Sequence, residues 1–80
     1  MKSLADYRRA AGFENADKVA KILGCSRMYV YQLEEGRMRP AEATLGDMAK
    51  MYGVSYRQAH SAWRRNRIAY LESELALLRK

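Results

Sequence analysis

Four side chains between residues 26 and 34 are of the types that read the edges of DNA base pairs. Arg27 can donate two hydrogen bonds to O6 and N7 of guanine, and Gln32 can pair with N6 and N7 of adenine. Met28 offers an apolar contact to the methyl group of thymine, and Tyr31 can stack on a sugar or bind a phosphate. Residues 27 and 31 are four apart, as are residues 28 and 32, so in a helix all four side chains share one face. The spacing predicts a helix that carries these four side chains on one face.

The other chemically capable side chains do not form a recognisable site. His60 has no cysteine or histidine partner at metal-binding spacing, and Cys25 lies in a predicted turn, where we interpret it as a small apolar residue. The sequence contains no serine-histidine-aspartate set, no phosphate-binding glycine-rich loop and no zinc pattern. We therefore expect neither an enzyme nor a metal or cofactor site.

Composition and charge favour a small protein that binds a polyanion. The 80 residues are 49% hydrophobic, which suffices for one compact core but not for a deep substrate pocket as well. Fifteen lysines and arginines against nine acidic residues give a net charge of +6. Both halves of the sequence carry this excess, so the positive charge should lie on structured surface, and a polyanion is the expected partner.

The expected location is the cytoplasm. A single cysteine excludes an internal disulfide framework and fits a reducing compartment. No apolar run approaches the roughly 20 residues that a membrane-spanning helix needs, and the N-terminal residues show no secretory pattern. We expect no membrane contact.

Helix start and stop signals predict an all-α protein of five helices. One proline and few β-branched residues disfavour strands. The fifth helix should run for about 25 residues, on the order of 36 Å. The predicted N-caps are Ser3, Asn15, Ser26 and Ser55, and the predicted stops are Gly12, Gly24, Gly36 and Gly53. Inward faces are expected at Ala16, Val19, Ala20 and Leu23 in the second helix and at Leu45, Met48, Ala49 and Tyr52 in the fourth.

Residues 16–34 have the spacing of a helix-turn-helix. Ala20 is small where two helices must approach closely, and Gly24 can take the positive φ of a tight turn. Val30 is an apolar residue that can lock the second helix of the motif onto the first. With Val30 and Leu33 turned to the core, the base-reading face described above is left exposed.

These positions resemble the lambda-repressor-like, Cro-type helix-turn-helix family over roughly residues 4–59. The resemblance implies an ion pair between Glu34 and an arginine of the first helix. That arginine is Arg8 or, because this chain looks one residue longer between the first two helices, Arg9. The resemblance rests on Arg8, Gly12-Phe13, the Ala20/Gly24/Val30 spacing, Leu33-Glu34-Glu35-Gly36-Arg37, Pro40, and Ala49-Lys50-Met51-Tyr52-Gly53-Val54-Ser55.

The same resemblance implies that residues 1–60 form the lambda-repressor-like DNA-binding domain of a transcriptional regulator that binds double-stranded DNA. Residues 61–80 lie beyond the resemblance, and their own pattern predicts an amphipathic C-terminal helix. The implied function is a homodimeric repressor that controls its own operon, as small phage and mobile-element regulators do. Such a dimer binds an inverted repeat whose half-sites lie about 34 Å apart.

Five further residues are candidates for phosphate contacts that position the domain on DNA. A side chain at the start of the second helix lies where backbone N–H groups and the helix dipole favour an anion. Other polar and basic residues flank the reading helix. The five are Asn15, Lys18, Ser26, Arg37 and Arg39.

The tail carries a short heptad seam, which predicts dimerisation. Ile68, Leu71, Leu75 and Leu78 follow 3-4-3 spacing. Two heptads alone are marginal in water, so the globular part must support them. The flanking charges suit a parallel and an antiparallel pair alike, which leaves the orientation open. Two alternatives are that the helix folds back on its own domain, or that it binds another protein, as the tail of an antitoxin does.

Overall fold

The computed structural model describes residues 1–79, which form five α-helices and no strand. The all-α prediction is confirmed. The last turns of the fifth helix extend beyond the globular body, so the molecule measures 40 × 24 × 22 Å. That helix was predicted to reach Lys80, which lies outside the described residues. The helices are α1 Leu4–Ala10, α2 Asp17–Leu23, α3 Arg27–Glu34, α4 Glu42–Tyr52 and α5 Tyr56–Leu78.

Capping boxes start the first and the last helix, at the predicted N-caps Ser3 and Ser55. At α1 the Ser3 Oγ accepts from the Asp6 N–H at 3.1 Å, and the Ser3 N–H donates to the Asp6 carboxylate at 2.9 Å. Ser55 and Gln58 form the same pair of bonds at α5. The hydrogen bond from the Ser3 backbone, followed by that from the Arg9 side chain, holds the pKa of the Asp6 carboxyl below its ordinary value.

The start of α2 differs from the prediction. Its N-cap is Ala16 rather than Asn15, and no side chain caps the helix. The Asn15 Oδ1 accepts from the N–H of Asp17 at 3.0 Å, which closes a turn over the first helical residue. Asparagine readily makes this short-range bond, and here the bond competes with the N-cap geometry that the sequence suggested.

One hydrophobic core joins all five helices. α5 contributes Ala59, Ala62 and Trp63, so compact packing continues past residue 60. The Trp63 indole N–H donates to the Met38 carbonyl at 3.0 Å and fastens α5 to the loop before α4. The predicted inward residues Ala16, Val19, Ala20, Leu45, Met48, Ala49 and Tyr52 are all buried, and Leu23 is half-buried against them.

A buried ion pair connects α1 to α3. Arg8 and Glu34 are only 3% and 6% exposed, and the Arg8 Nε lies 2.8 Å from the Glu34 Oε2. Arg8 also donates to two backbone carbonyls of the α1–α2 loop, at 2.8 and 2.7 Å. Burial opposes the charge, but the hydrogen bond and attraction of Glu34 outweigh it, so the pKa of the Arg8 guanidinium is raised. Of the two candidate arginines Arg8 is therefore the partner, whereas Arg9 pairs with Asp6 at the surface.

Tyr52 is buried within electrostatic reach of this ion pair. Its ring lies tilted against that of Phe13, with 6.3 Å between the ring centroids. Within residues 1–79 the Tyr52 hydroxyl is a buried polar atom with no hydrogen-bond partner in the protein. Burial, followed by the negative charge of Glu34, raises the pKa of this hydroxyl, so it stays neutral.

Candidate nucleic-acid interface

A tight turn places α3 across α2. Gly24 has φ +73° and ψ +33°, a left-handed conformation that glycine adopts without steric cost. The Cys25 N–H then donates to the Ala20 carbonyl at 3.0 Å, which closes the end of α2. Ser26 begins the next helix, since its Oγ accepts from the Tyr29 N–H at 3.0 Å. Two short helices joined in this way form a helix-turn-helix.

α3 has one buried and one exposed side. Val30 and Leu33 are completely buried, which fixes the roll of the helix against the core. On the other side Met28 is 69% exposed, and the side chain of Arg27 is 66% exposed. The structure brings the four predicted base-reading residues together on one shallow concavity. This concavity is lined by Ser26, Arg27, Met28, Tyr31, Gln32, Glu35 and Arg37.

Arg27 has a carboxylate neighbour that the sequence did not suggest. Its Nη1 lies 3.4 Å from the Oδ1 of Asp17, the first residue of α2, and both side chains are more than half exposed. An exposed pair at this distance contributes little to stability, because water screens it. Arg27 is therefore held loosely and can exchange Asp17 for another acceptor.

Tyr31 makes more contacts with its own protein than its position on α3 suggested. Its hydroxyl accepts from the Ala16 N–H at 3.2 Å, and the Arg8 guanidinium lies over its ring, 5.7 Å from the centroid. A tyrosine hydroxyl can donate while it accepts, so its proton remains free for an acceptor outside the protein. The side chain therefore presents its hydroxyl beside the start of α2.

The five predicted phosphate-contacting residues are all exposed. They surround α3: two lie at the start of α2, one caps α3, and two lie in the loop after it. Arg37 has additional partners, since its Nε lies 2.9 Å from the Glu35 carboxylate and its guanidinium lies over the ring of Tyr70. The five are Asn15, Lys18, Ser26, Arg37 and Arg39.

The apolar seam of α5 faces solvent. Ile68, Leu71, Leu75 and Leu78 are 47%, 43%, 51% and 82% exposed, so each remains accessible from solvent. At about 100° of rotation per residue, Ile68 and Leu75 lie nearly opposite the residues of α5 that pack on the body, and Leu71 and Leu78 lie toward the flank of the helix. Within residues 1–79, the helix does not fold its seam back onto its own domain.

Arg67 is a second residue whose role the sequence did not reveal. It directly precedes Ile68, and its Nη1 donates to the backbone carbonyls of Gly36 and Arg37 at 3.0 and 2.9 Å. These carbonyls follow the end of α3, so Arg67 connects the exposed helix to α5. No local pattern predicts such a bond, because 31 and 30 residues separate the partners.

The described part of the chain contains neither a metal-binding cluster nor a membrane-spanning helix. Residues 1–79 contain no group of three or more histidine, cysteine, aspartate or glutamate side chains that could hold a metal ion. None of the helices in this range combines the length and the apolar character needed to cross a membrane.

The fold and the exposed second helix of the motif define a class, the helix-turn-helix proteins, in which that helix enters the major groove of DNA. A family model described as a helix-turn-helix domain matches residues 3–63, well over half of the chain. The protein belongs to this family of DNA-binding regulators, whose members are typically not enzymes. Comparisons with curated proteins and with solved structures found no match. The family match ends within α5, before the apolar seam.

Proposed function

We propose that this protein is a lambda-repressor-like, Cro-type transcriptional repressor that binds an inverted-repeat operator as a homodimer. One observation carries the proposal. The four base-reading side chains lie together on the exposed side of α3, while Val30 and Leu33 hold the opposite side in the core. A helix anchored in this way can enter the major groove without disturbing the fold.

The chemistry of the exposed side favours sequence-specific readout. Arg27 exchanges its screened bond to Asp17 for two bonds to a guanine, and Gln32 pairs with an adenine. Met28, with its side chain in solvent, gains an apolar contact with a thymine methyl group. Each good base contact contributes about 1–3 kcal/mol of discrimination. Tyr31 reaches a sugar or phosphate through its free hydroxyl proton.

Phosphate contacts fix the register of the domain on DNA. Asn15 and Lys18 approach the backbone from the start of α2, and Ser26 approaches it from the start of α3. Arg37 and Arg39 approach from the far end of α3. Their separation along the motif supports a domain held on both sides of the groove, with α3 between the contacts.

Dimerisation supplies the second half-site. The seam of α5 has heptad spacing, is solvent-exposed and lies away from the body of its own protomer. A second copy can therefore pack along residues 68–78 without contact between the two bodies on that side. Two copies read twice as many base pairs, which raises affinity and discrimination together. Such a repressor acts in the cytoplasm on the promoter of its own operon.

Selection of bound duplexes from a random pool tests the readout. We expect an inverted repeat with a guanine contacted by Arg27. Arg27→Ala should relax preference at that base pair by roughly five- to hundredfold, whereas Arg37→Ala should weaken binding to all sequences alike. Lys50→Ala, an exposed cation on α4, is the matched control and should change neither. Identical effects of the two arginine variants would contradict the division into reading and anchoring residues.

Ionic strength tests the phosphate contacts. Three of the five residues on each protomer are cationic, namely Lys18, Arg37 and Arg39, so a dimer neutralises about six phosphates. The logarithm of the affinity should then fall against the logarithm of salt concentration with a slope near −5. A flat response would contradict an electrostatic interface.

A reporter gene placed behind the upstream region of the operon should lose expression when the protein is produced, and a rise in expression would contradict repression.

Light scattering tests the dimer. The full chain should be dimeric at micromolar concentration, and Leu71→Asp should make it monomeric without loss of helix content. A wild-type chain that stays monomeric would refute the homodimer and favour the alternative, an antitoxin-like protein whose α5 binds a different protein. In that case, a neighbour-encoded protein should protect the seam residues, including Leu75, from solvent.

A further inference from the structure

The loop after α3 is packed directly against the backbone of α5. Gly36 is buried and has φ +80°, a conformation that favours glycine. A Cβ atom at this position would collide with the backbone nitrogen of Arg67 and the carbonyl carbon of Asn66. Only glycine permits this approach, so the distance between α5 and the end of α3 is fixed at one point.

Arg67 adds two hydrogen bonds at the same place. Its Nη1 donates to the Gly36 and Arg37 carbonyls at 3.0 and 2.9 Å. A cation at the C-terminal end of a helix interacts favourably with the helix dipole, and α3 ends at Glu34, two residues before the first of these carbonyls. Arg67 therefore binds the loop that directly follows the exposed helix and holds this loop against α5.

A third contact extends the junction, by which we mean the contact between the loop after α3 and residues 66–70 of α5, by one turn. The Arg37 guanidinium lies over the ring of Tyr70, with 5.9 Å from its Cζ to the ring centroid. The three contacts together occupy residues 66–70 of α5. The seam starts within this stretch, at Ile68, so the helix is attached to the DNA-reading element where its exposed face begins.

We propose that Arg67 is a positioning residue that fixes the angle between the reading helix and the dimer seam, and thereby sets the spacing between the two half-sites. The inference rests on the proposed homodimer. α5 is one continuous helix from Tyr56 to Leu78, so it transmits the direction of the seam rigidly to the point where Arg67 binds.

The geometry of DNA makes this angle consequential. Insertion of one base pair moves a half-site by about 3.4 Å along the duplex and rotates it by about 36°. A dimer with a fixed angle therefore fits one spacing. In Arg67→Ala the core contacts of α3 and α5 remain, but the loop after α3 loses its two bonds to α5, so α5 can tilt relative to α3 about those core contacts. The two reading helices then tolerate several spacings.

Binding to a series of duplexes tests the inference with the full chain. Each duplex carries the half-sites selected by the wild-type protein, separated by the selected spacing or by one or two base pairs more or fewer. For the wild type, a change of one base pair should weaken binding about tenfold or more. For Arg67→Ala the same change should weaken binding less than about threefold. Arg67→Lys retains a cationic donor and should recover part of the selectivity.

The matched control is Arg64→Ala, which removes an exposed arginine one turn earlier on the same helix and should keep the wild-type spacing profile. Circular dichroism and light scattering verify helix content and dimer formation for each variant. If Arg67→Ala fails to fold, Tyr70→Leu tests the same junction and should flatten the profile in the same direction.

The outcomes separate the two proposals. A dimeric variant with an unchanged, steep spacing profile overturns the role of Arg67 and leaves the regulator intact. A wild-type dimer that accepts every spacing overturns it as well. A wild-type chain that is monomeric, or that binds no DNA, refutes the proposed function and this inference with it.

Discussion

Substitution of Glu34 by alanine should destabilise the protein strongly, because it leaves a buried guanidinium without its counter-ion. Arg8 is 3% exposed, and its Nε donates to Glu34 at 2.8 Å. Water cannot reach the charge in the folded state, and the side chain is too enclosed to turn outward. The variant must therefore retain a buried, unpaired cation or open the contact between α1 and α3.

The size of the stability loss in Glu34→Ala depends on the hydrogen bonds that Arg8 keeps. Removal of one partner of a buried ion pair costs about 3–5 kcal/mol. Arg8 still donates to two loop carbonyls at 2.8 and 2.7 Å, so we expect the lower end, about 3 kcal/mol. A domain of this size has a free energy of unfolding of about 4–12 kcal/mol. Glu34→Ala should thus lower the melting temperature by roughly 12–24 °C.

The chain offers a matched control in the adjacent residue. Glu35 also pairs with an arginine, since the Arg37 Nε lies 2.9 Å from its carboxylate, but these side chains are 55% and 56% exposed. Glu35→Ala should therefore change the free energy of unfolding by less than about 1 kcal/mol. Urea unfolding followed by far-ultraviolet circular dichroism measures both variants. Equal losses for Glu34→Ala and Glu35→Ala would refute the reasoning, because burial is the main difference between the pairs.

A double substitution separates charge from packing. Arg8→Met combined with Glu34→Leu removes both charges and fills a similar volume with apolar atoms. Replacement of a whole buried ion pair by apolar residues is often neutral or stabilising, so the double variant should be more stable than Glu34→Ala alone. If it is less stable, the two loop carbonyls that Arg8 binds matter more than the ion pair.

Further substitutions test other features of the fold and of the proposed interface. Tyr52→Phe should leave stability unchanged or raise it by up to about 1 kcal/mol in urea unfolding, because the hydroxyl has no hydrogen-bond partner among residues 1–79; a loss would contradict this. Gly36→Ala should cost at least about 2 kcal/mol in thermal unfolding, since a Cβ meets the Arg67 backbone at φ +80°; an unchanged midpoint would argue against the tight junction. The pKa of the Asp6 carboxyl is lowered in the folded state. The carboxylate therefore adds to the free energy of unfolding above its ordinary pKa, and this stabilisation is lost as the pH falls through the lower folded value. The stability advantage of wild type over Asp6→Asn should therefore shrink below about pH 4 in urea unfolding, and an advantage that persists in acid would contradict it. Asp17→Asn should raise affinity for non-specific DNA severalfold in gel-shift titrations, because it removes a negative charge beside Arg27, and an unchanged affinity would place Asp17 away from the DNA.

Local signals account for the part of the fold that the sequence predicts. Capping serines, stop glycines and helical periodicity are signals that span only four or five residues, so they can be recognised from the sequence. Ser3 and Ser55 cap their helices as predicted, and Gly24 adopts the left-handed turn. The cap at Asn15 was wrong because asparagine has two local hydrogen-bonding options, and spacing alone does not decide between them.

Long-range contacts account for the part that the sequence does not predict. The resemblance implied a partner for Glu34 but left two adjacent arginines, and only the packing of α1 selects Arg8. Arg67 reaches carbonyls about 30 residues away, and an arginine flanking a heptad seam gives no local sign of this. Tyr31 was expected to project from α3 toward a sugar or phosphate, but its hydroxyl accepts a hydrogen bond from the N–H of Ala16 at the start of α2.

Weak contacts within the proposed interface bear on how specificity arises there. Arg27 lies beside Asp17 and Arg37 beside Glu35, both in exposed pairs that contribute little to stability. Because its pair is weak, Arg27 can exchange the carboxylate for a guanine that accepts two bonds in a fixed geometry. The same carboxylates repel phosphates, which weakens binding wherever no base contact compensates. An acidic residue beside the proposed base-reading Arg27 therefore raises specificity at the expense of affinity, and we expect Asp17 to contribute to discrimination although its own charge opposes DNA binding.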